Sequence, residues 1–475
     1  MNQIIKRTAP ALALLGLGLA GCQPTIEAPA ASAGSADFSS YIAVGNSLTA
    51  GYADGGLYRE GQLNSYPSIL ASQFAKVGGG SFVQPLFTEA QSNGSGYLRL
   101  AGFTATGSPI TAPVTTNLAV RGGTTQVPLY TKFTDPVNNL GVPGIRMADI
   151  NTPGYGSVQG NSYFERITPD ATPLQTYLQR VQATVASLKP TFFTEWLGNN
   201  DVLFYAASGG ASLAPSNSLT SVATFTTNAG QVLDALTVNG AKGVVATIPD
   251  VTGIPFFTTV GPSLKATLVA ANIPGLIAFT GAAPGNAASG NRKQIGTVDI
   301  RDANGGRQLF TLTSASFLGL LGRPTGAPWR ALVPRAALAT YLAGYAIDTT
   351  AAFGASVKNP IPSAFILDDV EQGLVATATA GFNNALIAAA SSRNLAVFDA
   401  NLFFRAVAGG GYVANAVNNT AGYLSGNIFS LDGVHPTPRG YAVIANEILK
   451  AANAKYSSSF SGVNPNNYRG VIFPQ

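Results

Sequence analysis

A chain of 475 residues that is 46% apolar and only 10% charged has enough hydrophobic side chain to bury a core and too little charge to stay unfolded. Setting aside Lys6 and Arg7 with an N-terminal leader leaves 25 basic against 22 acidic residues, with no basic cluster to hold a nucleic acid. One cysteine and one histidine exclude an intramolecular disulfide and a histidine-rich metal centre.

The chain opens with Lys6 and Arg7, the apolar run "ALALLGLGLA" and "LAGC" ending at Cys22, the layout of a charged region, a hydrophobic region and a small-residue cleavage site. It resembles the signal of bacterial lipoproteins. That resemblance implies removal of residues 1–21 and acylation of Cys22, and acyl chains bury methylenes at roughly 0.8 kcal/mol each. Gln23 is not the aspartate associated with inner-membrane retention, so the expected location is the bacterial cell envelope, lipid-anchored at the outer membrane. No other stretch is expected to reach the length of a transmembrane helix. Residues 22–37, rich in Pro, Ala, Ser and Gly, read as a flexible tether, and the folded domain as 38–475.

Within the domain, apolar runs at Tyr41 to Val44, Val137 to Leu140, Thr191 to Leu197, Gly243 to Ile248 and Leu395 to Phe398 read as buried strands. Helical patterns lie between them. Ser65 before Pro67 suits a helix start, and "PLQTYLQRVQATVASLK" and "DVEQGLVATATAGFNNALIAAASSR" are the clearest amphipathic segments. Alternating strands and helices predict an α/β protein with a parallel central sheet. Segments at about 79–134, 208–217 and 255–360, rich in Gly, Thr, Ser and Pro, break the alternation and read as insertions that roof a site.

Chemistry concentrates in four short stretches. His435, the chain's single histidine, follows Asp432 by three residues, so one turn brings a carboxylate to Nδ1 and leaves Nε2 free as a base. Thr437 and Pro438 read as the cap and first position of a helix running through Glu447. "GNSLTAG" after the first strand places Ser47 at the carboxyl end of a parallel sheet, where open α/β folds bind ligands, with its own N–H facing a developing oxyanion. Gly144 in "NNLGVPGIRMADI" and Asn200 in "EWLGNNDVL" follow two further strands and offer a backbone N–H and a side-chain amide.

In order Ser, Gly, Asn and Asp-x-x-His, these stretches resemble the four blocks of the SGNH hydrolase superfamily, also called GDSL esterases and lipases. The resemblance implies a three-layer α/β/α sandwich on a mostly parallel five-stranded, flavodoxin-like sheet. It further implies Ser47 as nucleophile, His435 as base, Asp432 as its orienting acid, and the Ser47 amide, Gly144 and Asn200 as oxyanion donors. Two features depart from the family. Asn46 replaces the aspartate of the signature, and the blocks are spread out, with 97 residues from Ser47 to Gly144 and 235 from Asn200 to His435.

The expected activity is hydrolysis of carboxylic esters through an acyl-enzyme, on a lipid or an acylated carbohydrate. The alternatives are a carbohydrate O-acetyl esterase of the same fold, or a silent glycan- or lipid-binding lipoprotein. Phe256, Phe257 and Trp329 are candidates to line an acyl pocket or a sugar platform. No phosphate loop or metal set is visible, so neither cofactor nor metal is expected.

Overall fold

A computed structural model describes residues 30–105, 107–211, 215–281 and 291–474; Cys22 and the signal segment lie outside them. The core strands are β1 (Tyr41–Gly45), β2 (Asn139–Gly141), β3 (Phe192–Trp196), β4 (Lys242–Ala246) and β5 (Ala396–Phe398). They pair in the order β5-β4-β3-β1-β2, every pair parallel. Alternation along β1 explains the layers: Ile42 and Val44 enter one apolar cluster, Tyr41 and Ala43 the other.

The main helices are α1 (Tyr66–Phe74), α2 (Tyr177–Leu188), α3 (Asn199–Ala207), α4 (Val222–Thr237), α5 (Asp369–Ser392), α6 (Ala400–Gly410) and α7 (Pro438–Tyr456). Val181, Val232 and Phe382 from α2, α4 and α5 pack on one face of the sheet. Leu70 from α1 and Ile444 and Ile448 from α7 pack on the other, completing a three-layer α/β/α sandwich.

Local chemistry accounts for the boundaries. Asn138 O still accepts Ala43 N of β1 at 2.8 Å, but its N–H donates to Val83 O at 2.8 Å and its side chain donates to Tyr41 O at 2.8 Å and accepts from Val83 N at 2.9 Å, and the paired strand β2 starts at Asn139 rather than Val137. Thr437 caps α7 by accepting from Gly440 N at 3.1 Å. With Ile448, Leu449 and Ala452 continuing the buried stripe, α7 runs to Tyr456, past the expected end at Glu447. By length and composition α5 is long and apolar enough to cross a membrane, which corrects the expectation that no such stretch exists beyond the leader. In this fold, however, Val375, Phe382 and Leu386 bury its inner face in the core.

The insertions carry structure of their own. Tyr97–Phe103 pairs antiparallel with Pro109–Val114, and Val120–Gly123 with Pro128–Tyr130. The third insertion pairs Gly275–Phe279 with Arg292–Gly296 and has a separate core that includes Leu264, Phe310 and Phe353.

Candidate active site

Parallel strands end on one edge, and β2, β1 and β3 are neighbours, so the loops after them meet. β1 stops at Gly45, where a Cβ would sit 2.0 Å from Thr49 Oγ1 and 2.8 Å from Trp196 O. Asn46 then caps the one-turn helix Ser47–Ala50, accepting from Leu48 N at 3.0 Å, and its amide donates to Asn199 Oδ1 at 3.2 Å. The residue that departs from the family signature therefore ties the β1 loop to the β3 loop. Ser47 takes the first helical position, and among the described residues its N–H donates to no protein acceptor.

His435 comes from the turn before α7. Its Nε2 lies 2.9 Å from Ser47 Oγ and its Nδ1 2.8 Å from Asp432 Oδ2. The turn closes on itself, because His435 N and Val434 N each donate to Asp432 Oδ1 at 2.9 Å and Ser430 N donates to His435 O at 2.8 Å. Burial alone would raise the Asp432 carboxyl, but the His435 ring and these backbone donors outweigh it and hold the group down to about 2.

Gly144 has φ +84°, a left-handed conformation that disfavours a side chain, while a Cβ would meet only Asn161 Nδ2, at 3.4 Å. The glycine is thus required by backbone conformation rather than by crowding. Its N–H also lacks a protein acceptor among the described residues. The loop around it is fixed from two sides: Asn161 Nδ2 donates to Pro143 O at 2.8 Å and Asn200 Nδ2 to Ile145 O at 2.8 Å. Asn200 sits in the first turn of α3 and keeps a second amide hydrogen free of that bond. Ser47, Gly144, Asn200 and His435 border one cleft of about 990 Å³, with Tyr52, Tyr163 and Gln126 on its walls. All five residues singled out for chemistry therefore meet at one place.

Several supporting residues were not legible beforehand. Asp54 accepts from Leu431 N at 3.0 Å and from Tyr58 OH at 2.7 Å, its own N–H donates to Ser430 Oγ at 2.8 Å, and Gly55 N donates to Asp432 Oδ2 at 2.9 Å. The segment after the nucleophile thereby braces the acid. Tyr52 lies against the His435 ring, with centroids 4.5 Å apart. Asp201, adjacent to Asn200, accepts from Met147 N at 2.6 Å, Ala148 N at 3.1 Å and Thr220 Oγ1 at 2.6 Å, and burial pushes its carboxyl up to about 6. The one available signal was an aspartate beside glycines in "YADGG" and beside asparagines in "GNND".

The expectation for the insertion aromatics is corrected. Trp329 and Phe257 are each 1% exposed, and Trp329 Nε1 donates to Asn359 Oδ1 at 3.0 Å inside the third insertion. Phe256 contributes its backbone instead, donating from N to Gly433 O at 2.9 Å beside the Asp432 turn. The apolar pocket at Ser47 is walled by Leu48, Leu203, Ile254, Phe404, Phe429 and Val434.

Such an arrangement can activate a hydroxyl, receive its proton and offer three N–H donors to a nascent oxyanion. No family model matches the chain, and no curated protein matches it.

Proposed function

We propose that the protein is a serine hydrolase of carboxylic esters, of the SGNH type that its four sequence blocks resemble. In this reading His435 Nε2 takes the Ser47 proton as Oγ attacks the ester carbonyl. The resulting oxyanion is held by the Ser47 and Gly144 N–H groups and the Asn200 amide. His435 returns the proton to the leaving alkoxide, and water, deprotonated by the same imidazole, releases the acid and restores Ser47. The observation that carries the reading is the unbroken line from Ser47 Oγ to His435 Nε2 at 2.9 Å and from Nδ1 to Asp432 at 2.8 Å.

With Cys22 acylated, the enzyme would sit at the bacterial envelope, its substrate a lipid ester or an acylated carbohydrate. The test is covalent labelling by a fluorophosphonate, read by peptide mass spectrometry. An adduct on Ser47 that is lost in Ser47→Ala and His435→Ala is expected. Absence of any adduct, together with retained binding of envelope glycans or lipids, would replace hydrolysis with a binding role.

A further inference from the structure

The apolar pocket beside Ser47 shares part of its wall with another hollow. Ile254, Phe404 and Phe429 also line a second, larger cleft of about 1450 Å³ whose lining does not include Ser47. This cleft runs between α6, which carries Arg405, and the third insertion, which carries Arg301. Its character changes from hydrocarbon to polar, with Thr252, Thr258 and Gln372 among its walls.

Neither arginine side chain has a carboxylate within ion-pair distance or a hydrogen-bond partner among the described residues. Some arginines are engaged, as Arg146 with Asp149 at 2.8 Å, Arg393 with Asp234 at 2.6 Å and Arg469 with Glu60 at 2.6 Å, while others, such as Arg323 and Arg335, are as unpaired among the described residues as these two; what sets Arg301 and Arg405 apart is that both line one cleft. One carboxylate, Asp250, lines the cleft, and its Oδ1 already accepts from Thr252 N at 3.0 Å and Thr252 Oγ1 at 2.7 Å. The lining therefore carries two cations against one anion, in a chain with only 10% charged residues. A guanidinium presents a planar fork of donors that matches a carboxylate or phosphate, and a cleft with low-dielectric walls concentrates its field.

We propose that Arg301 and Arg405 form a subsite for an anionic group at the far end of the substrate's acyl chain, the hydrocarbon between carbonyl and anion lying in the apolar pocket. The proposal rests on the ester-hydrolase reading. The alcohol then leaves through the opposite, tyrosine-lined cleft on the Gly144 side, so the two halves of the ester occupy separate spaces. A neutral acyl chain of the same length fills the hydrocarbon part and leaves both guanidinium groups without a partner.

The experiment compares kcat/KM of the full chain on the p-nitrophenyl hemiester of octanedioic acid and on p-nitrophenyl octanoate. A preference of about tenfold or more for the charged ester is expected, equivalent to one charge-assisted contact. That ratio should fall toward unity in the Arg301→Gln, Arg405→Gln double variant and in salt of about 0.5 M, where exposed charges are screened. Competition by octanedioate against octyl phosphate tells which anion the pair favours. Equal kcat/KM for the two esters, or a preference that survives in the double variant, overturns the proposal. If neither ester is turned over, the hydrolase reading fails instead. The subsite is then judged by calorimetry with octanedioate, where no binding, or equal binding to the double variant, overturns it.

Discussion

Replacing Asp432 by asparagine isolates what the carboxylate does, because its two oxygens face different partners. Oδ1 receives Val434 N and His435 N, both at 2.9 Å, while Oδ2 receives His435 Nδ1 at 2.8 Å and Gly55 N at 2.9 Å. An amide NH2 in the Oδ1 position would confront two backbone donors; in the Oδ2 position it confronts one and can donate to the imidazole. The second placement is favoured, and it turns Nδ1 into an acceptor and moves the ring proton to Nε2, facing Ser47 Oγ. An imidazole in that tautomer cannot receive the serine proton. The expected loss in kcat is roughly 10⁴-fold, or about 5 kcal/mol of transition-state stabilisation, with about 1 kcal/mol of stability lost through the unpaired Gly55 N–H. The assay is steady-state hydrolysis of p-nitrophenyl butyrate across pH, with thermal melting to show that the fold is intact. Since the Asp432 carboxyl is held down to about 2, it stays charged well into acid and contributes no limb of its own to the wild-type profile across the assayed range. Asp432→Asn within tenfold of wild-type kcat at any pH on the plateau would refute the reasoning.

Two further outcomes are expected. Asp201→Asn exchanges an acceptor of three hydrogen bonds for a group that can accept only on one side, loosening the backbone at Met147 and Ala148 near Gly144. Measured on the same ester, kcat should drop by about 10- to 100-fold with KM little changed, less than the roughly 10² to 10³ lost when a donor is removed outright; a change confined to KM would rule out this role. Glu195, 1% exposed between Val44 and Val245, has its carboxyl pushed by burial from the ordinary 4.5 up to about 8. Because the folded state holds that proton more tightly than the unfolded chain, its contribution to stability is complete below about 4.5 and is lost as pH rises through about 8, at up to roughly 1.4 kcal/mol per unit. Urea melts of Glu195→Gln should lack that decline; parallel slopes for variant and wild type between pH 5 and 8 would count against it.

The sheet was readable because a parallel strand covered on both faces is an unbroken apolar run, as "YIAV" and "GVVATI" are. Ladder edges were less so: Val137 is as buried as Leu140 in β2 but lies off the ladder, because the N–H of the next residue, Asn138, turns to Val83 O at 2.8 Å. The residues brought together at the site announced themselves by chemistry, a lone imidazole with a carboxylate three residues away and a serine in a tight turn after a strand. Asp54 and Gly55 did not, because their importance lies in contacts to residues 377 positions away. Trp329 misled for a related reason. Periodicity does not say whether an aromatic in an insertion faces a cleft or its own small core, and this one lies against Phe279, 6.2 Å between ring centroids.

Ser47 and His435, 388 positions apart, share one hydrogen-bonded unit with Asp54, Gly55, Ser430 and Leu431. The hydroxyl is synthesised long before the imidazole, so a nascent or clipped chain lacking the segment around His435 has a serine with no ring to take its proton. In the hydrolase proposed above, competence would arise only when α7 docks and His435 reaches Ser47.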